Sequence, residues 1–279
     1  MKICLDPGHK ANYNKGIRPD YYEGNMTLDL AKRLKAELEE YDGIEVILTR
    51  STGNSDPSLA ARGAMAKGCD VFISLHSDAS GNPKTRGVTV IRSLQRPNSV
   101  AFGKELANTI HGVMGCGYSP YSGADAGVWT RKYPGTSNTD YYGVIRAAAK
   151  TDCPYIYLIE HSFHTNMTDC TFLDTATQRQ KLAEAEAAEI AAKFGKVKPK
   201  AASADLFRVQ CGAFSKQINA NALKEDLEQA GFNAIIKTAI SAGKTLYRVQ
   251  CGAFSVKANA VTLQVQLQKK GFQAIVVED

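Results

Sequence analysis

Three runs of apolar residues in this chain end in side chains that can bind a metal or move a proton. The first leads through Asp-Pro-Gly to His9, the second leads to His76, and the third leads to Glu160. Short apolar runs that stop at turn or polar residues are typical of buried strands. Because ligands sit beyond the carboxyl ends of strands in open α/β sheets, we expect the three side chains to meet at one edge.

The residues near this predicted edge match a hydrolytic zinc site. Such a site takes three protein ligands and leaves a position for water. His9, Glu23 and His76 supply two neutral nitrogens and a carboxylate. Zn²⁺ lowers the pKa of its water and polarises the scissile carbonyl, and Glu160 can take the proton from that water and pass it to the leaving nitrogen. The spacing is not a local motif, so the prediction depends on the strand ends.

Several neighbouring residues leave alternatives open. His161 and His164 follow Glu160 directly and are rival metal ligands. Asp6 and Asp78 can orient the ligating imidazoles. A single His is more often a packing or capping residue than a ligand, so each of these roles is a hypothesis.

Two arginines and a Gly-rich aromatic segment are candidate substrate-binding elements. Arg50 and Arg62 either anchor loops or bind a substrate carboxylate, and anchoring is the simpler interpretation. Residues 115–142, which include Trp129, are too long and aromatic for an ordinary connection, which favours a functional loop. A wall that stacks on a sugar or peptide and a plain packed loop are about equally compatible with the pattern.

The composition is ordinary for a soluble protein, with 44% hydrophobic and 22% charged residues. No apolar run reaches the ~18 residues of a membrane span. No apolar leader follows Met1, so we expect synthesis in the cytoplasm and exit by a route other than general secretion.

The positive charge is concentrated in the last third of the chain. Residues 196–279 hold 12 Lys and Arg against 6 Asp and Glu, whereas residues 1–195 are neutral. A basic tail predicts an acidic partner or surface. Its Lys and Arg are scattered, which argues against nucleic acid.

The order of elements predicts two domains. Strands alternate with helices over residues 1–195, which predicts a mostly parallel sheet with helices on both faces. Residues 196–204 have a linker composition. Beyond them, residues 207–215 return as residues 247–255 at an offset of 40. Each copy predicts strand, helix, strand, and the two copies should share one sheet.

The repeated domain contains no acid–base set, so we interpret it as a binding domain. If the helices cover its apolar side, the open face of the sheet carries Arg208, Gln210, Arg248 and Gln250. The chain has seven Cys and no C-x-x-C pair, which favours free thiols. Cys211 and Cys251 occupy matching places in the repeat, and a bridge between them stays open.

Several short motifs follow one another along residues 1–195. They are Leu5-Asp6-Pro7-Gly8-His9, Glu23, Leu48-Thr49-Arg50, Arg62, Ile73-Ser74-Leu75-His76, and Glu160 with Phe163-x-x-Asn166. Together they resemble the zinc-dependent N-acetylmuramoyl-L-alanine amidases of type 3. The resemblance implies that His9, Glu23 and His76 bind zinc and that Glu160 is the catalytic glutamate. The bond cut would be the amide between N-acetylmuramic acid and L-alanine.

The chain departs from the family pattern at three places. Lys10 stands where the family usually has Gly, and Asp78 stands where it has Asn. His161-Ser162-Phe163 replaces a Gly-Phe pair after the catalytic Glu. No ligand is lost, but Asp78 and His161 could alter the surroundings of the site or its substrate preference.

The repeated tail, residues 205–279, resembles SPOR domains. That resemblance implies a four-stranded antiparallel sheet with two helices on one face, and binding to peptidoglycan glycan strands stripped of stem peptides. The pairing of domains is similar to lytic amidases of sporulation and of phages, which implies release by lysis or through a holin pore. The rival interpretations are a zinc peptidase that cuts within the stem peptide and a non-catalytic wall-binding protein.

Overall fold

The chain divides into two compact units, Met1–Lys200 and Ala201–Asp279. The computed structural model describes residues 1–121, 125–198, 206–241, 244–254 and 257–278. The start of the predicted linker belongs to the first unit, because the Asp42 N–H donates to the Val197 carbonyl at 3.2 Å. Lys198 also donates to Glu40 at 2.6 Å. Residues 197 and 198 therefore contact the first unit, and the linker bounds of residues 196–204 stay a prediction.

The first unit is built on a six-stranded sheet with the order β2-β1-β3-β6-β4-β5. The four strands from β2 to β6 are parallel, whereas β4 runs antiparallel to β6. This confirms the predicted mostly parallel sheet. The strands are β1 (Lys2–Pro7), β2 (Glu45–Leu48), β3 (Val71–Asp78), β4 (Thr89–Arg92), β5 (Val128–Trp129) and β6 (Tyr155–Phe163).

Helices cover both faces of this sheet. They are α1 (Glu23–Leu38), α2 (Leu59–Ala64), α3 (Val100–Met114), α4 (Gly143–Ala148), α5 (Met167–Asp174) and α6 (Ala176–Lys193). Alternate residues of β1 face the two layers: Ile3 and Leu5 pack in the layer of α1, α3 and α6, and Cys4 packs in the layer of α4 and the residues just after α2. Phe72, also fully buried in the second layer, contributes roughly 1.5–3 kcal/mol by burial.

Three element boundaries position the residues of the site. Helix α1 begins at Glu23, and Tyr22 precedes it without a side-chain cap. Strands β3 and β6 continue past His76 and Glu160, so these two residues lie inside the strands and not after their ends, where the sequence predicted them. Asn166 caps helix α5, which is separate from the α6 helix that follows it.

The second unit is the predicted four-stranded antiparallel sheet, with the order β10-β7-β9-β8. Its elements are β7 (Phe207–Phe214), α7 (Gln217–Gln229), β8 (Ile235–Ser241), β9 (Lys244–Phe254), α8 (Lys257–Lys269) and β10 (Ile275–Val277). Both helices pack against the face that carries Val209 and Val249. Each repeat supplies half of this core, which is why neither half could bury its apolar side alone.

None of the helices in the described part of the chain is long and apolar enough to cross a membrane.

Candidate metal centre

The carboxyl ends of β1 and β3 and the start of α1 bring His9, Glu23 and His76 together. One ligand atom from each lies within 4.8 Å of the others. His9 Nε2 is 3.1 Å and His76 Nδ1 is 2.9 Å from the two Glu23 oxygens. Two imidazoles and one carboxylate carry a single negative charge and leave room for water, which fits the donor set of a catalytic zinc site.

The Glu23 carboxylate is held in place by the surrounding loops. Its side chain is 1% exposed, and it accepts hydrogen bonds from the Ser77 N–H at 2.9 Å and from Asn14. Burial by itself would raise the pKa of Glu23, but the hydrogen bonds and charges of His76 and His9 hold it well below its ordinary value. The carboxylate is therefore ionised and ready to bind a cation.

The backbone at His9 is strained. His9 has a φ of +58°, a left-handed conformation that costs a residue with a side chain roughly 1–2 kcal/mol. Arg62 donates to the His9 carbonyl at 2.9 Å and to the Pro7 carbonyl at 2.7 Å. A Cβ atom at Gly8 would lie 2.3 Å from the His76 ring, so only glycine fits between the two ligands. The Arg62 hydrogen bonds and the close approach of Gly8 to His76 therefore both fix this turn.

Glu160 lies beside this cluster on β6, where the parallel register pairs it with His76. Its Oε2 atom is buried and has no hydrogen-bond partner among the residues that the structure describes. Burial, followed by the negative charges of Glu23 and Asp78, raises the pKa of Glu160 well above its ordinary value. A carboxyl with a free oxygen and a raised pKa can serve as a general base and acid.

A cleft of about 400 Å³ opens onto His9 and His76. Lys10 and Asp56 stand 4.0 Å apart at its exposed rim. Val144, at the start of α4, lines its other side. The cleft therefore reaches two residues of the candidate metal site, His9 and His76.

Arg50 and Arg62 make anchoring contacts. Arg50 is 2% exposed and donates to the carbonyl oxygens of Pro7, Gly8 and Gly24 at 2.6–2.9 Å. Arg62 is 3% exposed, although its edge reaches the cleft. These contacts favour the anchoring alternative over substrate binding, because the donors of both guanidinium groups are engaged by the backbone.

Asp6 does not orient the imidazoles, contrary to that hypothesis. It is 1% exposed and accepts hydrogen bonds from Ser74 at 2.6 Å, from Arg62 at 2.8 Å and from Thr49. It ties three elements together beneath the turn that carries His9. Its role is to fix the Arg62 side chain.

His161 and His164 are not part of the described cluster, which favours His9, Glu23 and His76 as the ligands. His161 is fully buried and bonds the His76 carbonyl at 2.9 Å and Glu186 at 3.1 Å. Its Nε2 faces Glu186 on α6, and a role of His161 in substrate preference stays a prediction. His164 bonds the Ser77 carbonyl at 2.9 Å.

Asp78 and Trp129 were predicted to contact the substrate. Asp78 is partly buried and accepts a hydrogen bond from the Ala79 N–H at 2.8 Å, and burial raises its pKa. Its negative charge contributes to the raised pKa of Glu160. Trp129 is half-buried on β5, with the Arg131 guanidinium 5.8 Å from its ring and 3.7 Å from that of Tyr141. Substrate binding by either residue stays a prediction.

On the second unit, a row of four side chains crosses the sheet face opposite the helices. The register pairs Ile275 with Gln210, Gln210 with Gln250, and Gln250 with Ile235. Gln210 is partly buried and Gln250 is 7% exposed, whereas the two isoleucines are more than half exposed. Arg248 pairs with Lys237 in the next row, and Arg208 pairs with Val277.

Sequence reasoning missed several residues that hold the site. Asn14 lies in a polar loop with no pattern to distinguish it from its neighbours. Glu186 lies on α6, where the buried face of an Ala-rich helix was the available signal. Arg86 and Asp169 form a 2.6 Å ion pair beneath β6, and only the three-dimensional structure brings them together.

Comparisons with known proteins place both units in families. Residues 3–192 match the family model described as N-acetylmuramoyl-L-alanine amidase, and residues 203–278 match the SPOR domain model. A sporulation-specific N-acetylmuramoyl-L-alanine amidase of Bacillus subtilis is 31% identical over 239 residues, covering 85% of this chain and 84% of that protein. The amidase CwlM of Bacillus licheniformis is 27% identical, with the same coverage.

Solved structures show the same fold for the first unit. The amidase Ami1 of Mycobacterium smegmatis superposes with a TM-score of 0.56 at 25% identity, covering 70% of this chain and 97% of that one. The catalytic domain of CwlV from Bacillus (Paenibacillus) polymyxa gives a TM-score of 0.56 at 23% identity, covering 70% and 98%. The chain therefore belongs to the N-acetylmuramoyl-L-alanine amidase family and carries a SPOR domain behind its amidase domain.

Proposed function

We propose that this peptidoglycan amidase uses Zn²⁺ held by His9, Glu23 and His76, with Glu160 as its general base and acid. One observation carries the proposal: three ligand atoms lie within 4.8 Å of one another, beside a buried glutamate oxygen that has no partner among the described residues. Zinc bound there would polarise the scissile carbonyl and lower the pKa of the attacking water.

The protein groups supply the proton transfers. Glu160 takes a proton as water attacks the lactyl carbonyl of N-acetylmuramic acid, and it returns that proton to the nitrogen of L-alanine as the amide bond breaks. The products are a lactyl carboxylic acid and a free amino terminus. Arg62 and Arg50 keep the turn at His9 rigid, so the reacting atoms need little reorganisation.

We propose that the SPOR domain binds glycan strands through the row Ile275, Gln210, Gln250 and Ile235 with Arg208 and Arg248 nearby. The support is the exposure of the two isoleucines, which flank two amide side chains in the same row. Amides can bond sugar hydroxyls while apolar side chains lie against sugar rings. An amidase that strips peptides from glycan makes the polymer that such a surface would hold.

The B. subtilis relative is named as sporulation-specific, which supports a sporulation or autolytic role here. Release through lysis of the producing cell or a holin-type pore stays part of the proposal. Detection of the protein in the medium only after lysis would support this route. Its appearance outside intact cells would contradict it.

Digestion of purified peptidoglycan, with mass spectrometry of the soluble products, tests the proposed reaction. We expect intact stem peptides that begin at L-alanine, loss of activity with a chelator, and recovery with Zn²⁺. Fragments cut inside the peptide would place the protein among zinc peptidases. Binding without any release would leave a wall-binding protein.

A further inference from the structure

Cys211 and Cys251 occupy equivalent positions in the two repeats of the second unit. They lie on the neighbouring strands β7 and β9, 40 residues apart, and their Sγ atoms are 3.2 Å from each other. The two thiols are unbonded in this structure. A closure of little more than 1 Å separates this contact from a disulfide.

Two β-bulges place the cysteines together. Gln210 pairs with Gln250, and the register shifts on either side of this pair. Cys251 is the extra residue of one shift and Cys211 is the extra residue of the other. A bulge leaves its extra residue unpaired and bends the strand locally. The two cysteines are therefore related by a local two-fold axis through the glutamine pair.

The two thiols differ in accessibility and in acidity. Cys211 is 7% exposed, whereas Cys251 is partly exposed. The hydrogen bond from Cys211 lowers the pKa of Cys251, and the same bond with burial raises the pKa of Cys211. Cys251 is thus the thiol that meets a reagent first, because the thiolate is the reacting species.

We propose that Cys211 and Cys251 are an oxidation site that links the two repeats by a disulfide. The Cys251 thiolate attacks a low-molecular-weight disulfide and releases one small thiolate. Cys211 then gives its proton to solvent and attacks Cys251 Sγ, which releases the second small thiolate. One small disulfide is reduced to two thiols, and two protein thiols are oxidised to one disulfide.

The disulfide would stabilise the fold of the second unit and, with it, the proposed wall-binding surface. It closes a loop of 40 residues, which removes conformational freedom from the unfolded domain. It also fixes β7 to β9 at the glutamine pair of the open face. The occasion for oxidation depends on the proposed action outside the reducing cytoplasm, but the chemistry of the pair does not.

The test treats the full-length, metal-replete protein with oxidised glutathione under native conditions, followed by alkylation and peptide mapping by mass spectrometry. We expect one cross-linked peptide pair that contains Cys211 and Cys251, reversed by dithiothreitol. The oxidised protein should show unfolding of its second unit about 10 °C or more above the reduced protein.

Matched variants show the order of the two steps. The C211A variant should stop at a mixed disulfide on Cys251, and the C251A variant should react little. If either variant fails to fold, the wild-type map still decides. Alkylation of both thiols in the wild type, a stable mixed disulfide, or a bond within the Cys4, Cys69 and Cys153 group of the first unit would overturn the proposal.

The stabilising role has its own readout. If the oxidised protein unfolds at no higher temperature than the reduced one, or loses wall binding, the proposed stabilising role is wrong. The peptide map involves no peptidoglycan, so failure of the bridge and failure of the proposed wall binding are distinguishable.

Discussion

The proposed metal centre of the first unit and the open sheet face of the second unit differ in how tightly their side chains are held. At the proposed metal centre, hydrogen bonds and ion pairs hold the buried side chains of Glu23 and Arg62. The backbone of His9 there has a strained, left-handed conformation. On the open face, the two isoleucines at the ends of the row from Ile275 to Ile235 are more than half exposed, and the row carries no acid–base set. Bond cleavage needs fixed atoms, whereas holding a polymer needs only area and hydrogen-bonding groups.

The largest effect should follow removal of the catalytic carboxyl. We expect Glu160→Gln to lower the rate of peptidoglycan digestion by about 10²–10⁴-fold, because a general acid and base is lost. Zinc content and wall binding should not change. The matched control is Glu184→Gln on the exposed side of α6, which should digest walls normally. Lysis near the wild-type rate would remove Glu160 from the mechanism.

Loss of the buried ligand should abolish the response to metal. In the wild type, zinc at 100 times its dissociation constant should raise the free energy of unfolding of the first unit by about 2.7 kcal/mol. With Glu23→Ala we expect most of this rise, and the activity, to disappear. Calorimetry with and without zinc measures it. An equal rise in both proteins would mean that the metal binds elsewhere.

The third prediction concerns the support beneath the ligands. Arg62→Leu leaves Asp6 buried without its cation, which should cost about 3–5 kcal/mol in urea unfolding. Arg131→Leu is the control, since this exposed arginine stacks on Tyr141 and should cost about 0.5–1 kcal/mol. Adding Asp6→Asn to Arg62→Leu should recover part of the loss. If both substitutions lowered the free energy of unfolding equally, the buried arginine would matter no more to stability than the exposed one.

A smaller effect should appear in the pH dependence of stability. Burial and nearby carboxylates raise the pKa of Glu160 in the native protein, so the native state binds more protons than the unfolded state above pH 4.5. Stability of the metal-free protein therefore falls as pH rises through this window. Glu160→Gln should unfold at a higher temperature than wild type at neutral pH, and at the same temperature below pH 4.5. An advantage that persists in acid would contradict the raised pKa.

The smallest effects are expected on the open face. Gln210→Ala should weaken sedimentation with peptidoglycan about fivefold, the equivalent of one hydrogen bond of about 1 kcal/mol. Cleavage of a small soluble muropeptide should not change. Gln229→Ala, at the exposed end of α7, is the matched amide control. A loss of binding as large as the loss of rate in Glu160→Gln would show that single side chains matter as much on the open face as at the proposed metal centre.

The strand ends made the clustering of His9, Glu23 and His76 predictable. Apolar runs lead into His76 and Glu160, and parallel neighbours put such residues side by side, as the observed register shows. The same alternation could have excluded His161 from the cleft, because successive residues of a strand face opposite sides. Glu23 opens α1 without a capping side chain, so no cap motif in the sequence marks the start of this helix. Long-range contacts, such as Asn14 with Glu23, leave no local pattern.

The row across the second sheet spells isoleucine, glutamine, glutamine, isoleucine, and so reads the same from either edge. A polysaccharide has a reducing and a non-reducing end. If glycan binds along this row, as we propose, the symmetric order of the four side chains offers the polymer two orientations related by a half-turn. A strand of either polarity would then be held by the same row.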